Sequence, residues 1–99
     1  MTRIYYIGDE ATAAGYRLAG ALTRVPERAE AAETFHRALA DGSSLVLLSA
    51  ALTDAVNPGE LSAALLGEQP LVAVVPDIHG RHPSPDIARE VRLALGIEP

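Results

Sequence analysis

The sequence predicts an α/β fold: a small doubly wound sheet of four parallel strands flanked by helices, receiver-like or Rossmann-like, with a C-terminal helix. Short apolar runs alternate along the chain with segments of helical periodicity, which is typical of a parallel sheet. One of these runs, SLVLLSA, is apolar at nearly every position, as expected of a central strand covered on both faces, and PLVAVV has the same character. We expect one domain over residues 1–99, with an α/β core at 1–78 and a loop and C-terminal helix at 79–99.

The first half of the chain is expected to supply two strands and two helices. The strands are predicted at residues 3–7 and 21–25, and the first helix at residues 10–18. Helical spacing places four apolar residues on one face: Ala11, Ala14, Leu18 and Leu22. The second helix is predicted to start with Pro26, in the first helical position that suits proline, and to end at Gly42. Its inward residues are predicted to be Ala32, Phe35 and Leu39.

The second half begins with the third strand, predicted at residues 44–50. Asn57 is a candidate N-cap for a third helix, with Pro58 as its first residue and Glu60 completing a capping box. That helix is predicted to run to Leu66 and to be followed by a strand at residues 70–75. The segment DIHGRHPSP then forms a loop, and a last helix is predicted over residues 84–96.

Composition excludes several classes of function. The net charge is −5, so nucleic acid and anionic membrane surfaces are not expected partners. The apolar runs are far shorter than the roughly 20 residues that a membrane span needs, and the N-terminus lacks the features of a signal peptide. All eight cationic residues are Arg and there is no Cys, which excludes catalytic lysines, thiolate chemistry and cysteine metal sites.

The carboxyl ends of parallel strands are where such sheets place their functional crevice, so Gly8, Asp9, Ser49 and Asp77 are expected to meet there. The glycine spacing after the first strand does not make a dinucleotide-binding turn. A phosphorylated receiver domain needs an aspartate at the end of its third strand, where this chain has Ser49. It also needs a lysine, and this chain has none. We therefore expect Gly8 to form a tight turn and Asp9 to cap a helix N-terminus, with no enzymatic activity.

The three histidines do not predict a metal site either. His36 is expected on the surface of the second helix, and His79 and His82 lie in the loop near Asp77 and Asp86. Histidine and aspartate are zinc ligands, but this loop spacing fixes no fourth ligand. Neither a cofactor nor a metal ion is predicted, and what remains is a small rigid scaffold that we expect to bind something.

The stretch IGDEATAAGYRLAG, residues 7–20, resembles the signature of the F subunit of V-type or A-type ATP synthases. QPLVAVVP at residues 69–76 is similar to that family's fourth strand, and IAREVRLALGI at residues 87–97 is similar to its closing helix. The resemblance runs through most of the chain in the same order. It implies a non-catalytic rotor subunit of the central stalk, which binds the long coiled-coil D subunit inside the catalytic head. It also implies that the protein couples ATP turnover to ion transport and that other subunits bind the ATP.

The resemblance places the protein in the cytoplasm, peripheral to the membrane. Glycines in or beside the first helix permit close approach of another surface, and the last helix carries a narrow apolar stripe flanked by arginines. The stripe either completes the core or docks on a partner. The candidate partner-binding residues are Gly15, Tyr16, Gly20, Ile87, Arg89, Val91, Arg92 and Leu95. The alternative function is a receiver-like adaptor that binds proteins and lacks phosphotransfer; a small ligand-sensing domain is a more distant one.

Overall fold

The computed structural model describes residues 3–76. In that range the chain alternates strands and helices in nine elements. The strands are β1 Ile4–Ile7, β2 Leu22–Arg24, β3 Leu45–Ser49 and β4 Leu71–Val75. The α-helices are α1 Glu10–Leu18, α2 Ala31–Ala40 and α3 Pro58–Leu66. Two 3₁₀ segments, Arg28–Glu30 and Ala50–Ala55, precede α2 and α3. The predicted loop and last helix lie outside the described residues.

The four strands form one parallel sheet in the order β2-β1-β3-β4. Tyr5 pairs with Leu22 on one side and with Val46 on the other, and Val46 in turn pairs with Val72. The predicted parallel sheet is therefore confirmed, with β1 and β3 in the middle. Each strand is slightly shorter than predicted.

The main core lies between one face of the sheet and the helices α2 and α3. Tyr5, Val46 and Leu48 point to this face and pack with Phe35 of α2. Val72 of β4 is partly buried against the same cluster, together with residues of α3. Helix α1 lies on the opposite face, where its Tyr16 ring stacks on Tyr6. Helices on both faces make this the doubly wound fold that the sequence predicts.

The inner face of α1 is not the face that carries Ala11, Ala14 and Leu18. Thr12 and Ala13 are the buried residues of the helix, whereas Ala11 and Ala14 are exposed and Leu18 is 91% exposed. Two contacts determine this orientation of the helix. Asp9 caps its N-terminus through the Thr12 amide, and Tyr16 stacks on the sheet, so residues 12, 13 and 16 turn inward.

Helix α2 also packs one position away from the predicted stripe. Ala31, Phe35 and Ala38 are buried, so Phe35 is confirmed, whereas Ala32 and Leu39 are only partly buried. The 3₁₀ turn at Arg28–Glu30 delays the start of α2 to Ala31. The prediction that Pro26 begins this helix was therefore wrong. Gly42, with a φ of +72°, follows the end of α2 as predicted.

Helix α3 begins as its sequence predicts. The Asn57 side chain accepts a hydrogen bond of 2.9 Å from the Glu60 amide, and Pro58 is the first helical residue. The capping box is incomplete, because the Glu60 carboxylate instead lies 2.6 Å from Nδ1 of His36 in α2. This contact ties α3 to the exposed side of α2, where His36 was expected.

Candidate functional site

The carboxyl ends of β1 and β3 meet as expected, and the Tyr6 side chain fills the space between them. Tyr6 is 0% exposed, and its hydroxyl donates a hydrogen bond of 3.1 Å to Oδ1 of Asp9. The other carboxylate oxygen of Asp9 accepts the Thr12 amide at 2.9 Å, as an N-cap does. Ser49, at the end of β3, accepts the Ala51 amide at 3.2 Å. Asp77 lies outside the described residues.

Gly8 shows how closely this end of the sheet is packed. A Cβ atom at Gly8 would lie 2.6 Å from Cζ of Tyr6 and 2.7 Å from Cβ of Ser49, and closer still to the Tyr6 hydroxyl. Such distances are well inside van der Waals contact, so only glycine fits between the two side chains. The tight turn predicted at Gly8 has its cause here: the phenol ring takes the volume that a side chain would need.

Burial and hydrogen bonding determine the charge states of Tyr6 and Asp9 at the carboxyl end of β1. Burial raises the pKa of the Tyr6 phenol to about 12, so the hydroxyl is neutral at physiological pH. Burial also acts to raise the pKa of Asp9, but hydrogen bonds from Thr12 and Tyr6 outweigh it and leave that pKa below its usual value. Asp9 is therefore a carboxylate that accepts bonds from its own chain.

This arrangement fixes α1 on the sheet. Both Asp9 oxygens accept hydrogen bonds from within the chain, and the Tyr6 ring lies buried beside Gly8 and Ser49. Within residues 3–76, no group of three or more acidic or histidine side chains could hold a metal ion. Sequence reasoning identified Asp9 as a cap but missed Tyr6, whose position in an apolar strand gives no sign that its hydroxyl is buried.

The predicted partner-binding residues of the first motif have different surroundings. Gly15 is exposed in the middle of α1, and Tyr16 is half-buried against Tyr6, with ring centroids 4.7 Å apart. Gly20 follows the helix with a φ of +100°. Its amide bonds the Arg17 carbonyl, and the Ala21 amide bonds the Tyr16 carbonyl, both at 3.0 Å, which is a Schellman cap. The remaining candidates, Ile87, Arg89, Val91, Arg92 and Leu95, lie outside the described residues.

A cleft of about 340 Å³ opens between the β2 side of the sheet and α2. Arg24 lies over the Tyr5 ring at 5.3 Å, and the Tyr5 hydroxyl donates to the Asp41 carboxylate. That hydrogen bond, more than burial, raises the pKa of Tyr5, and it lowers the pKa of Asp41 together with the charge of Arg3. Among the residues that line this cleft, the two arginines Arg24 and Arg37 outnumber the one carboxylate, Asp41, so the lining carries a net positive charge. Sequence reasoning missed the cleft because its residues come from distant segments.

Comparison with known protein families identifies the family of this chain. The family profile of the ATP synthase (F/14-kDa) subunit matches residues 4–91 of the chain. This chain belongs to that family. The match covers α1, the whole sheet and most of the segment that follows β4. The resemblance to the F subunit of V-type and A-type ATP synthases, first carried by residues 7–20, is thereby confirmed. A comparison with curated proteins gives no significant match.

The chain is one subunit of a membrane-associated ATP synthase complex. In the described part of the chain, none of the helices combines the length and the apolar character needed to cross a bilayer. The signature residues serve the fold in two ways, since Gly8 and Asp9 anchor α1 to the sheet and Gly20 ends it.

Proposed function

We propose that this chain is a non-catalytic central-stalk subunit of a V/A-type ATP synthase or ATPase. It binds the coiled-coil D subunit, here called the shaft subunit, on the cytoplasmic side and within the catalytic head. There it turns with the shaft and helps to couple ATP hydrolysis or synthesis to ion transport. The observation that carries the proposal is the family match over residues 4–91. The buried hydrogen bond from Tyr6 to Asp9 supports it, because it anchors α1 to the sheet and a rotor part needs a rigid body.

The proposed contacts with the shaft subunit lie in two groups. One group lies in or beside α1: Gly15, Tyr16 and Gly20. The other lies in the C-terminal segment: Ile87, Arg89, Val91, Arg92 and Leu95. Apolar residues of the second group recur at helical spacing, and burying each large one stabilises an interface by about 1.5–3 kcal/mol. The two arginines would pair with acidic groups of the shaft.

Co-purification with the shaft subunit tests this function. The full chain is co-expressed with the shaft subunit, and the rebuilt ATPase is assayed for ion transport per ATP hydrolysed. We expect the wild-type chain to recover the shaft subunit and to raise the coupling ratio of the rebuilt enzyme. The double variant Ile87→Asp/Val91→Asp is expected to lose both, while Leu66→Asp, at an 87% exposed position of α3, serves as a surface control.

A normal far-UV circular dichroism spectrum is required of each variant, so that loss of binding is not loss of fold. Recovery of the shaft subunit by the double variant would move the contact away from the C-terminal segment and leave the stalk function in place. If the wild-type chain recovers no shaft subunit, although that subunit assembles with the rest of the enzyme, the proposed function is refuted.

A further inference from the structure

The cleft beside α2 continues along that helix as a groove. A second cleft, of about 230 Å³, shares Arg24, Thr34 and Arg37 with the first and reaches Val25 and Pro26 beyond the end of β2. Because they share these residues, the two clefts are continuous, and together they are here called the α2 groove. Helix α2 has ten residues, so the groove beside it is about 15 Å long.

The sheet is only partly covered where the α2 groove runs beside β2. Leu22 pairs with Tyr5 and therefore lies on the same face of the sheet, yet it is 41% exposed. Val25, which lines the groove just after β2, is 47% exposed. Parallel sheets ordinarily bury both faces under helices. A groove about 15 Å long, with apolar side chains along its β2 side, therefore suits about three turns of one more helix beside α2.

Arg24 gives the α2 groove a positive charge that pairs with no carboxylate of residues 3–76. The other four arginines of this range form ion pairs: Arg3 with Asp41, Arg17 with Glu10, Arg28 with Asp54 and Arg37 with Glu33. The Arg24 guanidinium instead donates through Nη1 to the Thr23 carbonyl at 2.9 Å and lies over the Tyr5 ring at 5.3 Å. Because a guanidinium has five N–H donors, Arg24 is equipped to bind a further acceptor.

The carboxylates that line the α2 groove do not cancel this charge. Asp41 pairs with Arg3 at 3.0 Å, and Glu33 pairs with Arg37 at 2.7 Å. Glu30 lines the second cleft but not the first. The first cleft therefore keeps a surplus positive charge, and a partner that is complementary to it carries a carboxylate.

Resting on the stalk function above, we propose that the α2 groove receives one helix of the coiled-coil shaft subunit. An acidic side chain of that helix pairs with Arg24, and apolar side chains beside it cover Leu22 and Val25. Glutamate is common at the e and g positions that flank the seam of a coiled coil, which gives the shaft the required chemistry. The Tyr5 ring already positions Arg24, so less side-chain entropy is lost on binding. This surface lies on the α2 side of the sheet, opposite α1, and adds to the contacts proposed above.

Calorimetric titration of the full chain with the purified shaft subunit tests this contact. Arg24→Gln is expected to weaken binding about five- to tenfold at low salt, and about twofold at about 0.5 M salt, because mobile ions screen the pair. Arg28→Gln makes the same change of charge at an arginine that pairs with Asp54 outside the groove, and should bind within about twofold of wild type. Glu30→Gln removes a negative charge from the groove and should tighten binding. Val25→Asp should weaken binding about tenfold or more.

The controls separate this inference from the stalk function. Wild-type affinity in both Arg24→Gln and Val25→Asp, with the shaft subunit bound by the wild-type chain, would overturn the groove contact and leave the stalk function intact. Equal losses in Arg24→Gln and Arg28→Gln would also overturn it, since overall charge would then explain them. Failure of the wild-type chain to bind the shaft subunit would overturn both proposals. A wild-type dimer in sedimentation, abolished by Arg24→Gln, would replace the shaft helix by a second copy. Should Val25→Asp fail to fold, the opposite effects of Arg24→Gln and Glu30→Gln still decide.

Discussion

The hydroxyl of Tyr6 donates a 3.1 Å hydrogen bond to Oδ1 of Asp9, across the turn that joins β1 to α1. Asp9 at the same time caps α1 through the Thr12 amide. One carboxylate thus connects a buried strand residue to a helix terminus. Together with the stacked rings of Tyr6 and Tyr16, it determines how α1 is rotated on the sheet.

Tyr6→Phe is expected to lower the free energy of unfolding by about 1–2 kcal/mol, because Asp9 loses a donor and the ring stays in place. Urea unfolding followed by circular dichroism measures the change. Tyr16→Phe is the matched control: it retains the ring that stacks on Tyr6 and is expected to change stability by less than about 0.5 kcal/mol. Equal losses in the two variants would contradict a special role for the Tyr6 hydroxyl.

Gly8→Ala is expected to destabilise the fold by about 1–3 kcal/mol, because its Cβ would overlap Tyr6 and Ser49. Thermal unfolding measures the loss. Gly67→Ala provides the comparison, since a Cβ there would lie at an ordinary 3.5 Å from the Ala64 carbonyl oxygen and is expected to cost little or to stabilise. A Gly8→Ala protein as stable as wild type would mean that Tyr6 can move aside.

Alkaline pH is expected to destabilise the fold through Tyr6. The pKa of this phenol is raised from 10.0 to about 12 by burial, so the folded state favours the neutral form. The contribution to stability is therefore complete below pH 10 and is lost as the pH rises from 10 towards about 12. Stability measured against pH for wild type and Tyr6→Phe should converge over this interval.

The difference between those two curves isolates Tyr6, because the raised pKa of Tyr5 is common to both proteins. Ultraviolet absorbance of tyrosinate gives an independent measurement, in which the wild-type chain should retain a neutral tyrosine that the variant lacks. Curves that stay parallel from pH 10 to 12 would show that the Tyr6 phenol ionises as readily in the folded chain as in the unfolded one.

Gly20→Ala is expected to cost about 1–2 kcal/mol, because a φ of +100° is unfavourable for any residue with a Cβ. Gly20→Asn should lose less, since asparagine tolerates positive φ better than alanine. Chemical denaturation of the two variants gives the comparison. Alanine and asparagine of equal stability would show that the Schellman cap has relaxed to another conformation.

Much of the fold could be predicted from the sequence because it depends on local patterns. Apolar runs located all four strands, and Asn57 with Pro58 located the start of α3. The rotation of α1 about its own axis could not be predicted from such local patterns. Its inner face uses Thr12, Ala13 and Tyr16, whose spacing alone does not distinguish them from the apolar residues Ala11, Ala14 and Leu18. Only contacts made by Tyr6 from a separate strand decide between the two faces.

The candidate site, too, could be predicted from the sequence only in part. Asp9 as a helix cap could be predicted from its place before an alanine-rich helix, and the structure confirms it. The 3₁₀ segment Ala50–Ala55 was not predicted, because its residues carry no periodicity over so short a length. The exposure of Leu18 was missed since an apolar residue at helical spacing is usually counted as core.

β2 is an edge strand of only three residues, and the Arg24 side chain binds a carbonyl on its open side. The Arg24 carbonyl accepts the Gly8 amide that follows β1, so the neighbouring Thr23 carbonyl points outward, where the Arg24 guanidinium binds it at 2.9 Å. An open strand edge invites pairing with another chain, and a charged, short edge discourages it. This short, charged edge is thus expected to disfavour cross-β pairing between copies of the chain.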